Sequence, residues 1–168
     1  MSGVVHVQGT ATVLGDDIDT DIIFPARYLA VLRPEDQARH LFEPLGEALR
    51  QQVIAGGVIA AGWNFGCGSS REHAVTAMIG AGVRLVVAKS FSRIFFRNAV
   101  NNGLAVVMNE ELAGAVHAGD AVRADLRAGS AQVAGVAHRF PPLPAEVLEM
   151  LAAGGLWAAK LGQHGSAA

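Results

Sequence analysis

The chain has 168 residues, of which 51% are hydrophobic and 17% charged, and its formal net charge is −2. This length suits one domain with a sizeable core, and we expect a single domain over 1–162 with a disordered tail over 163–168. Because the basic residues are scattered and the net charge is slightly negative, we do not expect the chain to bind nucleic acid. No apolar run approaches the roughly 18–20 residues that cross a bilayer, which excludes a membrane partner.

The cysteine content limits the chemistry that this chain can perform alone. Cys67 is the only cysteine, and one thiol can form neither a disulfide framework nor a zinc or iron–sulfur site. The sequence also begins without the pattern of a secretory signal. These features predict a cytoplasmic protein. We interpret Cys67 as a small packing residue, with a redox-sensitive thiol as the alternative.

The chain opens with a predicted strand and an acidic turn. Alternating residues rich in valine and threonine predict a strand over 4–14. In the turn at 15–21, three alternating aspartates are expected to bond their own backbone. Their spacing resembles an EF-hand loop, but Ile22 and Tyr28 stand where that loop needs glycine and glutamate. A calcium site is therefore excluded.

The next segment, 24–52, carries loop signals and short helical patterns. The stretch 28–32 is largely apolar between two prolines, and it could simply pack beneath the domain. The pattern of residues 35–52 predicts one or two short helices, interrupted at Pro44.

A glycine-rich junction between a strand and a helix forms the centre of the sequence. The apolar run 58–61 predicts a buried strand, and apolar residues at helical spacing from Ala74 to Ala81 predict a helix. Between them lies the stretch 64–73, Asn-Phe-Gly-Cys-Gly-Ser-Ser-Arg-Glu-His. Glycine permits sharp turns and close ligand approach, and a helix start attracts anions.

The side chains of this junction suit anion binding and proton transfer. Arg71 can hold a carboxylate bidentately, and Ser69 or Ser70 could accept a proton if its pKa were lowered. An ordinary loop with a serine cap is the alternative from the residues alone. The third glycine of a dinucleotide fingerprint and the lysine of a P-loop are both absent.

The second half of the chain continues the alternation of strands and helices. In the helix over 91–102, capped by Ser90, we expect Ile94, Phe95 and Ala99 to face the core. Arg93 and Arg97 on the same helix are either solvated or hold a subunit junction. The other predictions are strands over 84–88 and 104–108, a helix over 110–118, a hairpin of 120–127 with 131–136, and a final helix from Pro144 that includes Trp157.

Three ordered stretches resemble one known family. The stretches 64–73, 15–25 and 89–95 are similar to motifs of the small subunit of 3-isopropylmalate dehydratase, which corresponds to the swivelling C-terminal domain of the aconitase superfamily. The resemblance covers about residues 4–160. It implies an α/β swivel-type β/β/α domain with a mixed, barrel-like sheet flanked by helices, and the strand–helix alternation itself favours α/β.

The resemblance also implies a reaction and roles for site residues. Family members isomerise 2-isopropylmalate and 3-isopropylmalate stereospecifically, by dehydration and rehydration, in leucine biosynthesis. Ser69 matches the residue that acts as the base in aconitase, and Asp21 matches an active-site aspartate that would orient charged partners. Ser70 and Arg71 would bind a substrate carboxylate.

The loop after the acidic turn would face the variable side chain of the substrate. Near Tyr28, the apolar Ala30 and Val31 favour a branched aliphatic group, because a second distal carboxylate would lack a partner there. Arg27 and Arg33 are further candidates for the substrate carboxylates.

The resemblance finally implies a partner. A [4Fe–4S] cluster would lie in a separate large subunit, so this chain would hold no cofactor and would be inactive alone. We expect a heterodimer or heterotetramer that docks through the 15–33 and 64–73 loops. The alternatives are the small subunit of a homoaconitate, citraconate/methylmalate or dimethylmalate hydro-lyase, and a non-catalytic anion-binding module.

Overall fold

The computed structural model describes residues 5–156 and 158. The predicted tail over 163–168 and Trp157 lie outside the described residues. The strands are β1 (His6–Val13), β2 (Gly57–Ala61), β3 (Leu85–Ala88), β4 (Ala105–Met108), β5 (Ala121–Asp125), β6 (Ser130–Val133) and β7 (Val136–Arg139). The helices are α1 (Thr20–Ile23), α2 (Pro34–Gln37), α3 (Glu47–Gly56), α4 (Glu72–Gly80), α5 (Arg93–Asn101), α6 (Glu110–Ala115) and α7 (Ala145–Ala153), with 3₁₀ turns at Ala26–Tyr28, Ala38–His40 and Glu43–Leu45.

The strands form one mixed sheet in the order β4-β3-β2-β1-β5-β6-β7. Strands β1 to β4 are parallel to one another, whereas β5, β6 and β7 each run antiparallel to their neighbours. The sheet curls into a half-barrel, and β4 and β7 are its two edges among the described strands. This arrangement confirms the predicted α/β class with a mixed, barrel-like sheet.

The parallel half of the sheet is buried on both faces. Every residue of β2 and β3 is buried, which explains why these strands read as continuous apolar runs instead of alternating ones. On one face, Ile59 and Val86 share a core with α3, α4 and α5. On the other face, Val58 and Leu85 share a core with α6, α7 and the inward valines of β5 and β6.

Two details predicted for the helix α5 were wrong. Ile94 is 51% exposed, because Phe95 and Ala99 form the buried stripe of α5 and Ile94 lies about 100° away from that stripe. Ser92 caps α5 instead of Ser90, since its side chain accepts a hydrogen bond from the Phe95 N–H. The predicted hairpin is present as β5 and β6, and β7 adds a third antiparallel strand that the sequence did not predict.

Within the described residues, no helix combines the length and the apolar character needed to cross a bilayer.

Candidate active site

Three loops meet where the parallel strands end, and backbone hydrogen bonds join them. The Gly66 N–H donates to the Ile18 carbonyl at 2.8 Å, and the Thr20 N–H donates to the Cys67 carbonyl at 2.9 Å. The Phe65 N–H donates to a carbonyl of the loop after β3 at 3.0 Å. The carboxyl ends of parallel strands are the usual place for a ligand site in such sheets. The 64–73 loop is thus held between the loops that follow β1 and β3.

Gly66 allows this loop to pack directly on α5. Its φ is +78°, and a Cβ built on it would lie 2.2 Å from Cγ of Phe95. Ser92 reinforces the contact, because its hydroxyl donates to the Gly66 carbonyl at 2.8 Å. Gly68 also has a positive φ, +92°, but its nearest neighbour would be the Thr20 hydroxyl oxygen at 3.5 Å.

We expect Gly66→Ala to destabilise the fold more than Gly68→Ala. Both substitutions strain a backbone with positive φ, at a cost of about 1–3 kcal/mol. Only Gly66→Ala must also displace the buried Phe95 ring. Urea unfolding of the two variants measures the difference, and equal losses would contradict the packing role of Gly66.

Ser69 and Ser70 lie exposed at the start of α4. The Thr20 hydroxyl donates to the Ser69 carbonyl at 2.9 Å, which holds the serine backbone while its side chain stays accessible. The residue that precedes α4, Arg71, provides no side-chain cap. Free N–H groups and the positive dipole end of α4 therefore lie next to both hydroxyls.

Arg71 is held in place by the loop that follows β1. Its side chain is only 12% exposed, and Nη1 donates to Asp21 Oδ1 at 2.5 Å and to the Phe24 carbonyl at 3.0 Å. The Phe24 ring also stacks on His73 in the first turn of α4, with 5.6 Å between ring centroids. Two donor nitrogens of the guanidinium, Nε and Nη2, make no hydrogen bond to another described residue.

The other aspartates of the acidic turn have structural partners. Asp16 Oδ1 accepts from the Trp63 N–H at 2.8 Å, and Asp17 Oδ1 accepts from the Asn64 amide at 3.1 Å. Asp19 caps α1 by accepting from the Ile22 N–H at 2.9 Å. Only Asp19 bonds its own local backbone as predicted. Asp17 ties the turn to Asn64 at the start of the 64–73 loop, and Asp16 ties it to Trp63, the residue before that loop.

Tyr28 is fixed by its neighbours. Its ring stacks on His40 with 3.6 Å between centroids, and the Arg27 guanidinium lies 4.8 Å from its centre. Arg27 also forms an ion pair with Glu43. Burial lowers the pKa of His40, as does the positive charge of Arg50 and Arg27. Both effects favour the neutral form of the imidazole that stacks on Tyr28.

The remaining residues of this loop lie at the surface. Ala30 is exposed and Val31 is half-buried, and the Val31 carbonyl accepts from the Gln37 amide at 2.9 Å. Arg33 is exposed and pairs with Glu35. The guanidinium groups of Arg27 and Arg33 are thus both paired with glutamate carboxylates of the same chain.

Cys67 has the environment of an unreactive thiol. Burial raises its pKa, and the negative charges of Asp19 and Asp17 raise it further. Thiolate is the reactive form of cysteine, so these shifts favour the packing interpretation over the redox one.

A shallow cleft, too small on its own to hold a water molecule, joins the serines to residues that sequence reasoning missed. Thr20, Ile94 and Asn98 line it together with Ser69, Ser70 and Arg71. Thr20 had no signal apart from its place beside Asp21. Ile94 and Asn98 lie one turn apart on α5, and this spacing could have placed them on one face of the helix.

Comparisons with known proteins show which proteins this chain is similar to. A model of the aconitase C-terminal domain family matches residues 38–111. The chain is 46% identical over 154 residues to a 3-isopropylmalate dehydratase small subunit from Moorella thermoacetica, covering 89% of this chain and 92% of the relative. It is 44% identical over 152 residues to a 3-isopropylmalate dehydratase small subunit 1 from Methanopyrus kandleri, covering 89% of each.

A solved structure is similar over nearly the whole chain. The crystal structure of a 3-isopropylmalate dehydratase from Methanocaldococcus jannaschii aligns with a TM-score of 0.86 at 38% sequence identity. The alignment covers 96% of this chain and 99% of that one.

Proposed function

This chain belongs to the family of 3-isopropylmalate dehydratase small subunits, and we propose that it supplies the proton-transferring side of the active site. The enzyme is a hydro-lyase that interconverts 2-isopropylmalate and 3-isopropylmalate in leucine biosynthesis. One observation carries the proposal: Ser69 and Ser70 are exposed in a cleft beside a guanidinium, that of Arg71, which another loop holds in place.

Ser69 is the proposed base. Dehydration takes a proton from the carbon beside a carboxylate and hydroxide from the neighbouring carbon, and rehydration returns them with their positions exchanged. A serine hydroxyl is a weak acid, so its alkoxide needs stabilisation from the free N–H groups of α4 and from Arg71. The same hydroxyl can then return the proton in the rehydration step.

Arg71 and Ser70 are the proposed carboxylate ligands. Nη1 of Arg71 is engaged by Asp21 and Phe24, which leaves Nε and Nη2 as the edge that can meet a carboxylate in the bidentate geometry of guanidinium. Ser70 lines the same cleft as Arg71. Asp21 then acts as a positioning residue that keeps the guanidinium oriented.

The 28–31 loop is the proposed contact for the isopropyl group. Tyr28 is fixed by stacking, and Ala30 and Val31 present apolar surface that stabilises an aliphatic group and leaves a distal carboxylate unpaired. Arg27 and Arg33 are proposed for the second carboxylate, and each must first separate from its present glutamate partner.

The name of the family implies a large subunit as partner, and we infer that this partner holds a [4Fe–4S] cluster. The only cysteine here is Cys67, which is too few for such a cluster. When bound, the cluster supplies the Lewis acid that takes the substrate hydroxyl. A cytoplasmic location suits both the cluster and the free thiol.

The proposed docking face is the edge that carries the 15–33 and 64–73 loops. Large apolar side chains are exposed there, with Leu32 at 79% and Trp63 at 43%, and such side chains are common at protein interfaces. We propose a heterodimer or a dimer of heterodimers.

Reconstitution tests the proposed function. The full chain is co-expressed with the large subunit from the same genome and assayed with 2-isopropylmalate. We expect co-purification, iron–sulfur absorbance in the complex, and interconversion only when both subunits are present. If the complex converted homoaconitate or a methylmalate but not 2-isopropylmalate, the substrate assignment would change. Failure of the subunits to associate would favour an anion-binding module and contradict the proposal.

A further inference from the structure

A second concave site lies far from the serines. It is a groove of about 780 Å³ on the outer face of β1, β5, β6 and β7. Its position near Arg84, which precedes β3, puts it at the amino ends of the parallel strands, whereas Ser69 lies at their carboxyl ends. The volume falls within the range of small-molecule pockets, about 300–1,000 Å³.

Strand pairing sets polar side chains side by side across this face. Gln8 lies opposite Arg123, which in turn lies opposite Gln132. The next row places Ser130 opposite Arg139. Because side chains alternate along a strand and the intervening residues are buried, both rows project outward into the groove.

Two glycines make room for a third arginine. A Cβ on Gly57 would lie 2.9 Å from Nη2 of Arg84, and a Cβ on Gly9 would lie 3.2 Å from the same atom. The Arg84 N–H also donates to the Gly57 carbonyl at 2.8 Å. The backbone thus leaves space at this edge of the groove for one guanidinium.

The groove carries an excess of positive charge. Arg84, Arg123 and Arg139 form no ion pair with any residue in the described part of the chain. The one carboxylate that lines the groove belongs to Asp125, which lies 3.5 Å from Nδ1 of His6. Guanidinium groups bind phosphate and carboxylate oxygens through paired, charge-assisted hydrogen bonds.

We propose that this groove is a second anion site that binds a small molecule carrying a phosphate group. Its three guanidiniums line the groove from three separate segments of the chain, which suits a ligand with a phosphate group whose several oxygens can accept hydrogen bonds from more than one side. The two glutamines supply neutral donors for the rest of the ligand. The site is independent of the proposed dehydratase chemistry, so the isolated full chain is sufficient to test it.

The experiment is a titration of the ¹⁵N-labelled full chain with inorganic phosphate and pyrophosphate, followed by NMR. We expect saturable shifts of the amides of Arg84, Arg123 and Gln132. Arg123→Gln should weaken pyrophosphate binding about tenfold or more, because one charge-assisted contact is lost. Arg97→Gln, which removes an exposed arginine on α5, is the matched control and should leave the Kd unchanged.

Three outcomes would overturn the proposal. The first is the absence of saturable shifts in the groove, and the second is shifts confined to the 64–73 loop. The third is equal weakening of binding by Arg123→Gln and Arg97→Gln, which would indicate nonspecific attraction. If circular dichroism shows that Arg123→Gln does not fold, Arg139→Gln tests a second guanidinium of the same groove, in the neighbouring row. A failed reconstitution assay would not affect this result, because no partner takes part.

Discussion

Replacing Ser69 with alanine is expected to lower kcat of the reconstituted dehydratase by about 10²–10⁴-fold, the usual contribution of a positioned base. The substitution removes the hydroxyl but keeps the backbone carbonyl that accepts from Thr20. Because the side chain is exposed, the subunit should remain folded and bound to its partner. Steady-state kinetics together with size-exclusion chromatography of the complex measure both effects.

Ser130→Ala is the matched control for the loss of a hydroxyl, since Ser130 lies on β6 away from the serine cleft. It should leave kcat unchanged. Ser70→Ala should mainly raise KM, because Ser70 is proposed to bind a carboxylate and not to move a proton. Appreciable turnover by the Ser69→Ala complex would refute the assignment of the base.

Replacing Arg71 with lysine is the second large effect that we expect, a fall in kcat/KM of about 100-fold. Hydrogen bonds to charged groups contribute about 1.5–3 kcal/mol each, and lysine cannot hold Asp21, the Phe24 carbonyl and a substrate carboxylate at once. Asp21→Asn should have a smaller effect, because it keeps the guanidinium and loosens only its orientation.

The control for this variant is Arg93→Lys, at an exposed arginine on α5. Asp21 is 65% exposed, so the ion pair with Arg71 should contribute no more than about 1 kcal/mol to folding. Loss of the hydrogen bond to the Phe24 carbonyl should add about 1 kcal/mol, so urea unfolding should show only a modest loss of stability for Arg71→Lys. A large loss of stability with unchanged kcat/KM would show that Arg71 is structural.

Much of the parallel half of the fold was predictable from the chain. The apolar runs around Ile59, Val86 and Val106 have the length and composition of strands buried on both faces. The helix that begins after Arg71 was also predictable, because its apolar residues recur at helical spacing. The extent of the antiparallel half was harder to predict, because β7 has only four residues, all at least partly exposed, and carries no hydrophobic alternation.

The helix that backs the site shows why local patterns are insufficient. Ser90 and Ser92 both precede the helical pattern, and only the tertiary contact between Ser92 and the Gly66 carbonyl decides which one caps it. Ile94 faces the cleft because it lies about 100° around the helix from Phe95, outside the buried stripe of α5. An exposed isoleucine there contradicts a rule based on hydrophobicity alone.

The site itself was predictable in composition but not in its contacts. The stretch 64–73 suggested an anion site with two hydroxyls and a guanidinium. The pairing of Arg71 with Asp21, fifty positions apart, depends on how the β1 and β2 loops meet, and no periodicity encodes that meeting. The same holds for Thr20 and Asn98, whose roles arise only from packing.

The most direct test of the proposed base is a crystal structure of the two-subunit complex with bound 3-isopropylmalate. We predict that Ser69 Oγ lies within about 3.5 Å of the carbon that loses its proton, with the substrate carboxylate on Nε and Nη2 of Arg71. A substrate whose reacting carbon faces a side chain of the partner, with Ser69 Oγ turned toward solvent, would contradict the assignment.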